Sequence, residues 1–264
     1  MTVTVCSGFS RAGYREYGIN FVRTFDKFWP TDVNLVVYAE EMVSMPRGEC
    51  RSLWDCEGAR DFHDRHGEDG RRRGTTPITG WRAKDRNEGY AWRFDAAKFY
   101  KQCIIPYDAS KTLVQDDILV WLDADVVTFA MVPTDFIMNL MGDTDLAFFG
   151  RGSYHSEIGF WSIRICKLSR RMLQSFAEIY TNDIFLTLKE HHSAFVFDHV
   201  RRKAEISGLR TKNLTPEGRN GSHGSHVWLA SPLAKYTDHL KGSRRKNIGH
   251  SLDHPIRWWE RSGR

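Results

Sequence analysis

Two carboxylates one residue apart, Asp123 and Asp125, close the apolar run Ile118-Leu119-Val120-Trp121-Leu122. Oxygen ligands of this kind suit a hard divalent cation, Mg²⁺ or Mn²⁺, and a cation so held can carry a diphosphate. The run is β-rich, too short for an average helix and preceded by polar Gln115-Asp116-Asp117, which predicts a strand buried on both faces. Ligands of open α/β sheets collect at the carboxyl ends of strands, where this one delivers its two aspartates. An Asp-x-Asp can also end a strand in a plain turn, so the elements around it decide.

Those elements begin with a strand at Val3-Thr4-Val5-Cys6 that runs into Ser7-Gly8-Phe9-Ser10, a polar loop placed for a nucleotide contact. Tyr17, Phe21, Phe25 and Phe28 then recur at helical spacing and stop at Trp29-Pro30. A second strand, Val33 to Tyr38, ends at Ala39-Glu40-Glu41, where Glu40 either meets a ribose or base or is a solvated terminus. Strand, helix, strand predicts an α/β protein with a mostly parallel central sheet flanked by helices.

With 264 residues, 41% hydrophobic and 13% aromatic, the chain can bury one large core, and the reading favours a single domain over 1–264. No run approaches the ~18 apolar residues that span a bilayer. The N-terminus starts like a strand rather than a signal peptide, so no membrane partner and a cytoplasmic location are expected. Five scattered cysteines predict free thiols rather than a disulfide framework. A net charge of +5 suits a phosphate-bearing substrate without establishing nucleic-acid binding.

Periodicity fades over about 47–90, where charged residues and glycines predict a mobile insertion, a lid or an acceptor contact. Cys50, Cys56, His63 and His66 lie in it, at a spacing that matches no standard zinc finger. A helix is expected from Trp92 to Cys103, stopped before Pro106, on which Lys98 either meets a phosphate or pairs with Asp95 at the surface. A short helix over Pro133 to Met141 and a strand over Asp145 to Phe149 follow. The polar stretch from Gly150 to Phe160, containing Glu157, reads as a loop leading into a strand at Trp161 to Ile165. Leu168, Met172, Phe176 and Ile179 mark an amphipathic helix, and Ser193 is placed to cap another that carries Asp198. His191 and His192 project differently and are not expected to bind a metal as a pair. The segment at about 208–264, rich in Gly, Ser, His and basic residues, is expected to be held by an active site that it covers.

Taken together, Trp92-Arg93-Phe94-Asp95-Ala96-Ala97-Lys98-Phe99, Val120-Trp121-Leu122-Asp123-Ala124-Asp125 and Glu157-Ile158-Gly159-Phe160 resemble the metal-dependent glycosyltransferases of the GT-A fold, small bacteriophage-type members in particular. His239-Leu240-Lys241-Gly242-Ser243-Arg244-Arg245 resembles the His-x-x-Gly-x-x-Lys segment of retaining glycogenin-like transferases, with Arg245 where the family has Lys and no Pro-Trp after it. The resemblance spans most of 1–250 outside the 47–90 stretch. It implies that Asp123, Asp125 and His239 hold Mn²⁺ or Mg²⁺ and the diphosphate of a nucleotide sugar, with a UDP-sugar as the expected donor.

The expected donor contacts are then Ser7, Gly8, Glu40, Arg93, Asp95, Lys98, Asp123, Lys241, Gly242 and Arg245. If the anomeric centre inverts, Asp198 or Glu157 is placed to take the acceptor's proton. If it is retained, slightly favoured by the resemblance, no such base is needed. The phage-type resemblance and the basic clusters Arg71-Arg72-Arg73, Arg201-Arg202-Lys203 and Arg244-Arg245-Lys246 suggest modified DNA, a hydroxylated or hydroxymethylated base, as acceptor, with Trp228 or Trp258 stacking on it. A saccharide or protein acceptor is the alternative. A non-catalytic nucleic-acid-binding protein or a metal-dependent phosphoryl-transfer enzyme is the alternative from another class.

Overall fold

A computed structural model describes residues 1–76, 89–152, 154–215, 227–251 and 253–260, with backbone alone for 243–245. Its centre is a seven-stranded sheet in the order β3-β2-β1-β4-β7-β6-β8. The strands are β1 (Val3–Phe9), β2 (Val33–Ala39), β3 (Glu49–Ser52), β4 (Ile118–Leu122), β6 (Leu146–Arg151), β7 (Tyr154–Arg164) and β8 (Thr211–Asn213), with β5 (Val126–Thr128) outside the sheet. Only β7 runs against its neighbours; every other pairing is parallel. The α/β architecture is as the sequence predicts.

β4 is the middle strand and all five of its residues are buried. The alternation of side chains along a strand splits it between two cores. Leu119 and Trp121 enter a core under α3 (Lys101–Ser110), α5 (Lys167–Thr181) and α6 (Ser193–Ile206), while Ile118, Val120 and Leu122 enter the other with Phe21 and Phe25 of α1 (Ile19–Phe28) and Ile137 and Leu140 of α4 (Phe136–Met141). A residue that follows β4 therefore emerges between two packed layers at the sheet's carboxyl edge.

Four sequence expectations are corrected. The 47–90 stretch is not wholly an excursion: β3 pairs in parallel with β2, and α2 (Ala59–His66) buries Phe62 completely. Leu53, Cys56, Ala59 and Phe62 recur every third residue and are all buried, a period hidden by the charges between them. Residues 77–88 lie outside the described residues. The helix expected to stop before Pro106 breaks earlier, near Tyr100, and α3 continues through Pro106 to Ser110. Proline lacks the N–H that would reach Gln102's carbonyl. The expected Gly150–Phe160 loop is largely strand, β7 starting at Tyr154 with register shifts against β6. α6 is capped by the His192 ring, which accepts from the Phe195 amide, rather than by Ser193.

No helix among the described residues is long and apolar enough to cross a membrane. All five cysteines are free.

Candidate active site

Past Leu122 the chain leaves β4 but stays tied to the sheet, because the Asp123 amide donates to Gly159's carbonyl at 2.8 Å. The Val126 amide then closes a turn on Asp123's carbonyl and starts β5. β5 pairs antiparallel with β9 (Thr237–His239) in a separate two-stranded ribbon, Val126 opposite His239. Leu240's amide also donates to Asp125's carbonyl at 2.9 Å. Backbone pairing thus brings His239 onto the two aspartates from far along the chain.

His239 Nε2 lies 3.1 Å from Asp125 Oδ1 and 3.7 Å from Asp123 Oδ2. The three residues can each offer one ligand atom, all within 4.8 Å of one another. Asp123 Oδ1 accepts from Trp121 Nε1 at 2.8 Å and Gln102 Nε2 at 2.9 Å. That fixes the carboxylate plane and leaves Oδ2 on the imidazole side. Gln102 is itself held, its Oε1 accepting from the Ser193 hydroxyl. Gly159 makes room for the ring: a Cβ there would stand 2.5 Å from His239 Cε1. Two carboxylates and an imidazole, oriented by other side chains, fit a divalent cation such as Mn²⁺ or Mg²⁺.

The electrostatics without a cation follow from this crowding. Burial, and then the neighbouring Asp125 charge, push the Asp123 carboxyl up to about 6. Burial would raise Asp125 too, but His239 and Lys246 outweigh it and hold that carboxyl below the usual carboxylate range. Burial opposes a charge on His239, yet the carboxylates, Asp125 foremost, raise the imidazole above its ordinary value. Lys246 Nζ approaches Asp125 Oδ2 at 3.2 Å. Protein cations thus occupy the carboxylates' field.

Asp123, Asp125 and His239 open into a cavity of about 840 Å³ between the carboxyl ends of the strands and the C-terminal segment. This is a volume that accommodates a substantial ligand. Of the residues expected to hold a donor, Gly8, Arg93, Lys98, Asp123, Lys241 and Gly242 line it. Gly242 takes φ +88°, which favours glycine, in the turn after β9. Arg245's side chain is not among the described ones; the neighbouring Lys246 lines the cavity.

Three expected donor contacts are turned elsewhere. Ser7 is fully buried and its hydroxyl donates to Leu122's carbonyl. Glu40 is paired with Lys101. Asp95 caps the helix Ala96–Phe99 by accepting from Lys98's amide, and also accepts from the Tyr90 hydroxyl.

Comparison with known proteins adds the following. No family model and no curated protein matches the sequence. Among solved structures, the chain is similar to a glycosyltransferase involved in the glycosylation of the major capsid of PBCV-1, at 14% identity and a TM-score of 0.49, over 94% of this chain and 100% of that one. It is also similar to the glycosyltransferase GlyE of Streptococcus pneumoniae TIGR4, at 14% identity and a TM-score of 0.41, over 81% of this chain and 45% of that one.

The two carboxylates expected as bases are both engaged. Asp198 is buried and accepts from the Ser156 amide and hydroxyl and from Arg201, which makes it a fastener between α6 and β7. Glu157 does line the cavity, with Lys241 Nζ at 2.5 Å and Arg151 at 3.9 Å. Burial would raise its carboxyl; Lys241 leads the charges that instead hold it below the usual range. Trp228, expected to be available for stacking, is fully buried and donates to the Thr237 hydroxyl. Trp258 is stacked on Phe129, with its indole N–H on Asp238.

Sequence reasoning missed Gln102, Trp121 and Lys246 as parts of the site. Gln102 carried a signal, lying on the same predicted helix face as Lys98.

Proposed function

We propose that the protein transfers a sugar from a nucleoside-diphosphate sugar, UDP-sugars first among the candidates, to a hydroxyl acceptor, using Mn²⁺ or Mg²⁺. The observation that carries this reading is the convergence of Asp123, Asp125 and His239 at the floor of a large cavity whose wall presents lysines 98, 241 and 246. A cation held there supplies Lewis-acid stabilisation of a departing diphosphate without a proton. The chain's own part is to hold the ligands through Gln102, Trp121 and the β5–β9 ribbon, and to set ammonium groups beside the phosphates.

Glu157 then acts as the anchor of Lys241 rather than as a base, since its salt bridge and depressed pKa remove the driving force for taking a proton. Asp198 is spent inside the protein. With both expected bases engaged, the retaining course is the one this geometry favours.

The acceptor reading shifts from modified DNA to a saccharide hydroxyl. Trp228 is unavailable for stacking, and Arg201 is turned onto Asp198 and Glu205 rather than outward. Trp92 and Tyr154, both partly exposed on the cavity wall, offer ring faces to a sugar.

The test is a screen of nucleotide sugars with Mn²⁺ and with Mg²⁺, reading nucleoside-diphosphate release with saccharides and with hydroxymethylated DNA as acceptors. Release from one donor, stimulated by a saccharide and abolished in Asp125→Asn, is expected. Release stimulated only by DNA restores the DNA reading. No release from any donor, or DNA cleavage without one, overturns glycosyl transfer.

A further inference from the structure

On the same cavity wall as Trp92 stands a second set of metal-ligating side chains. His155 comes from β7, and Glu190 and His192 from the segment leading into α6. Their ligand atoms also lie within 4.8 Å of one another. Both imidazoles aim Nε2 at one oxygen, Glu190 Oε2, at 3.1 Å from His155 and 2.9 Å from His192. The rings stand at 65° with centroids 4.8 Å apart. Glu190 and His192 are buried, and His155 and His192 line the cavity.

We propose that His155, Glu190 and His192 form a second, separate divalent-metal site that takes a borderline ion of the Zn²⁺ class. Two imidazoles and one carboxylate converging on a point are the donor set that zinc and related ions take, whereas the Asp-Asp-His set suits a harder ion. Three protein ligands leave the remaining coordination positions for water or an oxygen of a cavity ligand, as catalytic rather than structural zinc sites do. Charged groups flank the set: Arg93 lies 3.6 Å from Glu190 Oε1, the oxygen the histidines do not use, and Asp198 lies 4.0 Å from His155 Nδ1, too far for a hydrogen bond but close enough to favour a proton on that nitrogen. Metal uptake replaces the two contacts to Glu190 and ends the long 3.4 Å contact from the Phe195 amide to His192 Nδ1, which must then carry the proton. The site does not depend on the transferase reading, since its test involves no donor.

The test uses chelator-treated full-length protein titrated with Zn²⁺ alone and, separately, with Mn²⁺, counting bound ions by calorimetry and by metal analysis after gel filtration. Wild type is expected to hold a Zn²⁺ ion that Asp125→Asn retains and that His192→Ala loses, while His192→Ala keeps its Mn²⁺ affinity. Because His192 is buried and its removal can impair folding, His155→Ala, at the more exposed ligand, provides the second variant; at least a tenfold loss of Zn²⁺ affinity is expected. Zinc binding that disappears in Asp125→Asn, or that survives both histidine variants, overturns the proposal and leaves the cluster as a hydrogen-bonded triad only.

Discussion

Gly159 lies directly under His239: a methyl group placed on it would stand 2.5 Å from Cε1 and 3.0 Å from Nδ1 of the imidazole, and 3.3 Å from Asp123 Oδ2. The site is therefore closed from below by a hydrogen atom. Gly159→Ala should displace the ring from the carboxylates and lower Mn²⁺ affinity by roughly 10- to 100-fold, the range for disturbed ligand orientation. Titration with Mn²⁺, alongside a circular dichroism spectrum that stays that of the wild type, checks it.

A cation entering the Asp123–Asp125–His239 set must displace protons. Asp123 is raised to about 6 and His239 lies above its ordinary 6.5, so both groups bind protons more readily than their free counterparts. Protons and cations compete for the same atoms, and affinity must rise with pH as they leave. Mn²⁺ affinity is expected to climb between about pH 5 and 8, with proton release visible as a dependence of calorimetric heat on buffer ionisation enthalpy. A flat profile would contradict this.

Gln102 joins Asp123 Oδ1 to the Ser193 hydroxyl, so it sets the carboxylate's angle through the oxygen turned away from His239. Gln102→Ala should weaken Mn²⁺ binding about tenfold or more with little change in the unfolding midpoint. The separation of those two measurements distinguishes a positioning residue from a packing one.

Phe62 is fully buried against Tyr100, Tyr180 and Phe185. Phe62→Ala should cost about 3–5 kcal/mol in urea unfolding, the usual loss for a buried aromatic. A loss below about 1 kcal/mol would mean that α2 is peripheral after all.

Acid should loosen the same helix. Asp183 accepts from His66 at 2.7 Å and pairs with Arg65, both on α2. Burial works to raise its carboxyl, but His66 and Arg65 prevail and hold it below 3.8. A depressed folded pKa contributes stability that is complete above the unfolded value and lost as pH falls through the folded one. Hydrogen exchange in α2 should accelerate below about pH 4, and Asp183→Asn should remove that acid step.

Much of this was readable in the sequence because the signals are local. β1, β2 and β4 show as short apolar runs, and Asp123 and Asp125 stand where a strand end exposes them. Other features depended on contacts the sequence does not spell out. Ser7, Glu40, Asp95 and Asp198 have side chains that suit substrate contacts, and each is taken by a protein partner from another part of the fold or from its own helix start. The period-three burial of Leu53 to Phe62 was masked by charged neighbours, and the first part of β7, from Tyr154 to Phe160, reads as a loop until its two flanking strands are known. Lys246, one position beyond the Arg245 singled out by motif spacing, reaches Asp125 from the helix Ser243–Ile248, a contact that no motif spacing announces.

The ribbon that carries His239 is the last strand pairing of the described chain to become available during synthesis. By the time a ribosome has made β8, every strand of the main sheet exists, yet Asp123 and Asp125 still lack their imidazole. A chain that ends between β8 and residue 239 has every strand of the main sheet, but it lacks both the imidazole that pairs with Asp125 and part of the core, Trp228 and Leu233 included.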